Sequence, residues 1–210
     1  MSKITELAEL VEKGKAKLVG AAVQGALDEG CDATEILSSM IDAMAVVGEK
    51  FKNGEIFVPE MLVAARAMKK GVEVLKPHLA TGATGSMGKL IIATVAGDLH
   101  DIGKNLVAMM IESAGFEVID LGVDVPASKI IECYKENPDV KVIALSALLT
   151  TTMPSLKDTV AAINAEDFRG KVKVMVGGAP ITDAFAKEIG ADGYSEDAAS
   201  AAVLAKALVA

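Results

Sequence analysis

The segment Asp98-Leu99-His100-Asp101-Ile102-Gly103 holds one of the chain's two histidines. The histidine stands two residues after a carboxylate and three before a glycine, just past an apolar run, Leu90 to Val95. A strand that ends in such a loop presents one imidazole to a ligand. One ring nitrogen is then available to a metal. The other donates to the carboxylate behind it, which sets the tautomer and raises the basicity of the ring. Asp98 is placed for that role, and a hydroxyl at Ser146 would extend the hydrogen-bond chain. A lone histidine does not build a metal site from side chains, because protein-held zinc takes three or four of them. A metal on His100 must therefore arrive with most of its ligands in place, in a macrocycle. Gly103, Gly177 and Gly178 lack side chains, so a bulky cofactor can approach the backbone there.

These residues need a scaffold, and 210 residues suit one large domain or two small ones. Hydrophobic residues make up 51% of the chain, enough for a real core. Aromatics are only 3%, with no Trp, which disfavours recognition of nucleic acids by base stacking. A net charge of −8 also opposes binding to a phosphate backbone, so no nucleic-acid partner is expected. Cys31 and Cys133 lie far apart, outside any C-x-x-C motif, and fit thiols of a reducing compartment. The opening residues do not resemble a signal peptide, and no apolar run approaches the about 20 residues that span a bilayer. The expected location is cytoplasmic, away from membranes.

The apolar periodicity changes once along the chain. Up to residue 80 it is helical. Ile36, Met40, Met44, Val47 and Phe51 form one stripe, and Met61, Leu62, Ala65, Met68, Val72 and Leu75 another. Shorter helices are expected over Ile4–Glu12 and Lys15–Glu29, with Gly14, Gly30 and Asn53-Gly54 as stops. Pro59 suits the first turn of the fourth helix. Residues 1–80 therefore predict a four-helix bundle. The Gly/Ser/Thr tract at 81–88 predicts a flexible linker.

From 89 to 210, apolar runs alternate with helical ones. Strands are predicted over Leu90–Val95, Glu117–Leu121, Val142–Ser146, Lys173–Val176 and Gly193-Tyr194. Helices are predicted over Gly103–Ala114, Ala127–Glu136, Pro154–Ala165, Thr182–Ile189 and Ala198–Leu208. This alternation predicts an α/β unit, a flavodoxin-like (Rossmann-like) doubly wound five-stranded parallel sheet with strand order 2-1-3-4-5. Ligands of such sheets bind at the carboxyl ends of the strands, beside the switch point between strands one and three. The Asp98–Gly103 loop, Ser146-Ala147-Leu148 and Gly177-Gly178 all fall on that edge. Asp124 and Asp183 lie near the same loops, with no chemistry assignable to either.

Asp98-x-His100-x-x-Gly103, Ser146-x-Leu148 and Gly177-Gly178 together resemble the signature of corrinoid-binding domains. The helical region, through Gly54-Glu55-Ile56-Phe57-Val58-Pro59-Glu60-Met61-Leu62, is similar to the cap bundle of methyltransferase-type corrinoid proteins. The resemblance covers nearly the whole chain. It implies a cobalamin or related corrinoid, with His100 as the lower axial ligand of cobalt and Asp98 and Ser146 as the hydrogen-bond relay behind it. It places Gly103, Leu148, Gly177 and Gly178 along the cleft for the nucleotide tail, with Asp101 and Ile102 also at the cofactor. Phe57 would shield the methyl-bearing face of the corrin, with Met61 one helical turn further on.

The function so implied is that of a methyl-carrier subunit. It accepts a methyl group on cob(I)alamin and passes it to a folate or thiol acceptor. Donor-specific and acceptor methyltransferases would be its partners, with a reductive activation protein. Such a carrier would not complete a turnover alone. The small subunit of an adenosylcobalamin-dependent mutase shares the motif but generally lacks such a cap. A cobalamin-responsive regulator would need an output domain, and no basic recognition helix is evident. A phospho-accepting receiver would want an aspartate at the end of strand three, where this chain has Ser146.

Overall fold

The computed structural model describes residues 3–79 and 87–210. Among these, no helix is long and apolar enough to cross a membrane. The chain divides into two compact units, one holding the four N-terminal helices and the other the sheet.

The first unit comprises α1 (Lys3–Glu12), α2 (Ala16–Asp28), α3 (Ala33–Lys52) and α4 (Val58–Leu75). α3 starts where Asp32, in extended backbone, accepts from the amides of Thr34 and Glu35. These are donors that the first turn of any helix leaves open. α4 starts with Pro59 in its first turn, and the Glu60 carboxylate reaches back to the Phe57 amide at 3.1 Å. Ile36, Met40, Met44 and Val47 of α3 are buried, as are Met61, Ala65, Met68 and Leu75 of α4. The expected stripes thus form the core, with Phe51, Leu62 and Val72 half-buried at its margins. Gly71 lets α4 close on its neighbours: a Cβ there would lie 2.2 Å from Met40 Cε and 2.9 Å from Val19 Cγ1.

The linker expected over 81–88 falls mainly outside the described residues. Only Met87 and Gly88 of it are described, and Gly88 already opens the first strand.

In the second unit, β1 (Gly88–Thr94), β2 (Phe116–Asp120), β3 (Val140–Ser146), β4 (Lys173–Gly177) and β5 (Gly193–Ser195) alternate with helices. These are α5 (Ile102–Ser113), α6 (Ala127–Glu136), α7 (Met153–Asn164), α8 (Asp183–Glu188) and α9 (Ala198–Val209). All strand pairings are parallel, in the expected order β2-β1-β3-β4-β5. Leu90–Ala93 and Val142–Leu145 are buried throughout, as strands covered on both faces must be. The register sets Thr94 opposite Ser146, Ser146 opposite Gly177 and Gly177 opposite Ser195. The last rung of the sheet is therefore a row of small, mostly hydroxyl-bearing residues at the carboxyl edge.

Candidate functional site

Past Thr94 the chain leaves the sheet, turns at Gly97 (φ 82°) and enters α5 at Ile102. Asp98 sits in this loop with no exposed surface. Its two oxygens accept four hydrogen bonds. Oδ1 takes the His100 amide at 3.1 Å and His100 Nδ1 at 2.7 Å. Oδ2 takes the Leu148 amide at 2.7 Å and the Thr152 hydroxyl at 2.7 Å. Burial alone would raise the pKa of this carboxyl, but the donors from Leu148, Thr152 and His100 overcome it and hold the group well below the usual carboxylate range. Asp98 is therefore ionised at neutral pH and purely an acceptor, so Nδ1 of His100 must carry a proton. The neutral ring then has its lone pair on Nε2, which makes no hydrogen bond among the described residues. The ring is about half-exposed. This is the tautomer and presentation that a metal requires.

Ser146 is not part of that arrangement. Its hydroxyl lies 2.9 Å from Thr94 Oγ1, and Thr94 in turn donates to the His100 carbonyl at 3.0 Å. The reason is register: Ser146 is level with Thr94, whereas Asp98 lies beyond that rung. The hydroxyl behind Asp98 belongs to Thr152, at the start of α7, which the sequence reading missed. Its signal was a threonine directly before Met153-Pro154, at the opening of a helix on the same sheet edge. Thr94 was missed too, though its pairing with Ser146 follows from the strand register.

The loop has further supports. Asp124 is the sole non-glycine with positive φ among the described residues, at 53°. Its carboxylate accepts from the Gly97 amide at 2.7 Å, and its own amide donates to the Asp98 carbonyl at 3.0 Å. A strained backbone here clasps the histidine loop from the β2–α6 connection. Lys104 is buried in the first turn of α5, with Nζ 2.5 Å from Asp120 Oδ2 and 2.7 Å from Asn105 Oδ1. Asp183 pairs with Lys187 within α8, and nothing ties it to the site.

The remaining expected residues divide. Leu148 donates its amide to Asp98 while its side chain is 40% exposed; Leu149, Leu99 and Ile102 are 41%, 73% and 82% exposed. Apolar side chains left open on one edge mark a surface meant to be covered. Asp101 is exposed. Its carbonyl accepts from the Asn105 amide and its carboxylate from the Asn105 side chain. At Gly103 an added Cβ would meet nothing within 4 Å, so no packing in the chain requires a glycine there. Gly177 and Gly178 differ. A Cβ on Gly178 would lie 2.0 Å from the Ala147 carbonyl oxygen, at φ 125°, and one on Gly177 would lie 3.0 Å from the Ser195 carbonyl oxygen. Gly178 is a glycine because the sheet edge leaves no room, whereas at Gly177 a side chain would be tight and the Ser195 carbonyl would have to give way slightly. In the helical unit, Phe57 is 68% exposed at the start of α4, whereas Met61 is 1% exposed within the buried stripe of that helix. Met61, expected beside Phe57 at the cofactor, is placed as a packing residue.

Among the described residues no group of three or more His, Cys, Asp or Glu is arranged to hold a metal. A metal on Nε2 would bring its other ligands with it. The fixed tautomer, the apolar edge and the open Gly103 fit a large, largely apolar macrocycle.

A B12 binding domain model matches residues 88–203, and a second matches residues 3–76. The chain belongs to the B12-binding family. Dimethylamine corrinoid protein 1 of Methanosarcina acetivorans is 46% identical to it, over 99% of this chain and 97% of that protein. The dimethylamine corrinoid protein of Methanosarcina barkeri is 45% identical over the same shares of the two chains. Among solved structures, a cobalamin-binding protein from Desulfitobacterium hafniense DCB-2 superposes with a TM-score of 0.83 at 32% identity, covering 99% of this chain and 98% of that one. A chain of the methanol:cobalamin methyltransferase complex from Methanosarcina barkeri gives 0.82 at 30% identity, covering 99% of this chain and 79% of that one. The cofactor of this B12-binding protein is a corrinoid.

Proposed function

We propose that this B12-binding protein is the methyl-carrier subunit of a multi-component corrinoid methyltransferase system with a methylated amine as donor. The observation that carries the reading is the half-exposed His100 ring with Nδ1 tied to an ionised Asp98, in a chain similar from end to end to dimethylamine corrinoid proteins. When bound, the corrinoid supplies a cobalt centre that takes up and releases a methyl group. His100 Nε2 would hold that cobalt. Asp98 keeps Nδ1 protonated and leaves the lone pair on Nε2. The depressed pKa of Asp98 keeps the Nδ1 proton on the ring rather than on the carboxylate. Leu99, Ile102, Leu148 and Leu149 would exclude water from the macrocycle, and Gly103 leaves the backbone open to its tail. Phe57, an exposed aromatic, would cover the methyl-bearing face.

One partner methyltransferase would deliver the methyl group, another would pass it to a folate or thiol acceptor, and a reductive activation protein would restore the reduced cofactor. The test mixes the reduced, corrinoid-loaded protein with dimethylamine and a dimethylamine-dependent methyltransferase, and with methanol and a methanol-dependent one. The reading predicts about one methylamine released per corrinoid in the first mixture. Release of no methylamine there, with turnover on methanol, would replace the donor. No methyl uptake from either would end the carrier reading.

A further inference from the structure

His100 is held by its main chain as well as by its ring. The ring and amide are fixed by Asp98, but the carbonyl is fixed by Thr94. A threonine hydroxyl has one proton, and a carbonyl only accepts, so the Thr94 proton goes to His100. The proton in the 2.9 Å contact between Thr94 and Ser146 must then come from Ser146. The result is a directed chain, Ser146 hydroxyl to Thr94 hydroxyl to His100 carbonyl. Such chains polarise and strengthen one another.

The base of this chain does not move easily. The Thr94 amide donates to the Gly122 carbonyl at 3.0 Å, and the Thr94 carbonyl accepts from the Val125 amide at 3.0 Å. The Ser146 carbonyl accepts from the Val95 amide at 3.1 Å. Thr94 is 1% exposed. A buried, doubly pinned hydroxyl is thus bonded to the residue whose ring must keep one orientation.

We propose that Thr94, charged by Ser146, is a positioning residue for His100. It fixes the histidine carbonyl to the last rung of the sheet, and so holds in place the loop in which Asp98 binds the histidine amide and ring. The relevance to cobalt rests on the proposed function; the anchoring itself does not. Thr94→Val keeps the shape and removes the hydroxyl, Thr94→Ser keeps the hydroxyl, and Ser146→Ala removes the donor behind it.

Two measurements test this. The first is amide hydrogen exchange in the cofactor-free protein. Thr94→Val should raise exchange at the His100 amide about fivefold to tenfold, Ser146→Ala by a smaller factor, and Thr94→Ser should restore protection. Exchange at Ile91 and Ala93 should stay at the wild-type level in all three. Unchanged exchange at His100 in Thr94→Val would overturn the proposal. An equal rise across β1 would also overturn it, by showing a strand defect instead. The second is EPR of the cob(II)alamin-loaded protein. Thr94→Val should lower the fraction of centres showing histidine-nitrogen coupling, and Thr94→Ser should return it. A normal fraction in Thr94→Val would overturn the positioning role. If wild type itself shows no histidine coupling, the ligand role of His100 fails while the exchange result still decides the anchor.

Discussion

Replacing Asp98 with asparagine changes one atom and puts a donor where only acceptors work. The carboxylate takes two bonds on each oxygen, from the His100 amide and ring on one side and from Leu148 and Thr152 on the other. An amide has one acceptor oxygen and an NH₂ group. If the oxygen faces Leu148 and Thr152, the NH₂ meets the His100 amide, and the ring can satisfy it only by shedding its Nδ1 proton. The proton then sits on Nε2, which has no lone pair left for a metal. If the oxygen faces His100, the Leu148 amide is left opposite a donor. Either way one buried backbone N–H goes unmet, worth about 1–3 kcal/mol, and charge-assisted bonds become neutral ones. Relief from burying a charge offsets part of this, so the expected net loss is about 2 kcal/mol. Urea unfolding at pH 7 reads the stability, and nitrogen-15 NMR of the His100 ring reads the tautomer in the cofactor-free protein. Stability within about 0.5 kcal/mol of wild type, together with an unchanged Nδ1–H tautomer, would refute the reasoning.

The acid limb follows from the same group. The Asp98 pKa lies below its ordinary value of 3.8, so its contribution is present above that pH and is lost as pH falls towards the depressed folded value. The gap in unfolding free energy between wild type and Asp98→Asn should be open at pH 7 and narrow below pH 3.8; a constant gap would contradict the assignment. Gly178→Ala forces a Cβ to 2.0 Å from the Ala147 carbonyl at φ 125° and should cost about 2–4 kcal/mol, seen as a lowered Tm. A Cβ at Gly103 meets nothing within 4 Å, so Gly103→Leu should leave Tm equal or higher, since leucine is the better helix former, yet weaken corrinoid binding at least about tenfold in equilibrium titration.

The elements were legible where the apolar period was unbroken. The fourth helix, Val58–Leu75, and α6, Ala127–Glu136, were legible because Pro59 and Pro126 mark their starts and the apolar steps run through them. Strand order followed from the alternation of short apolar runs with helices. The side-chain pairing at the site was legible only where the partners are near in sequence, as in Asp98 and His100. Ser146 and Thr152 are both hydroxyl residues within reach of the same edge. Only the register, which puts Ser146 on Thr94, separates them. Met61 and Phe57 lie four residues apart at the head of one helix, and sequence does not distinguish the buried stripe from the residue before its first turn. The glycines show the same limit. Gly103 is free of packing and Gly178 is forced by it, a difference that needs the position of the Ala147 carbonyl.

The central claim is that His100 is the protein's cobalt ligand. EPR of the cob(II)alamin form, in protein labelled with nitrogen-15 histidine, tests it directly. Wild type should show coupling to one histidine nitrogen, and His100→Ala should lose it while His78→Ala keeps it. A histidine-nitrogen coupling that survives in His100→Ala would contradict the account.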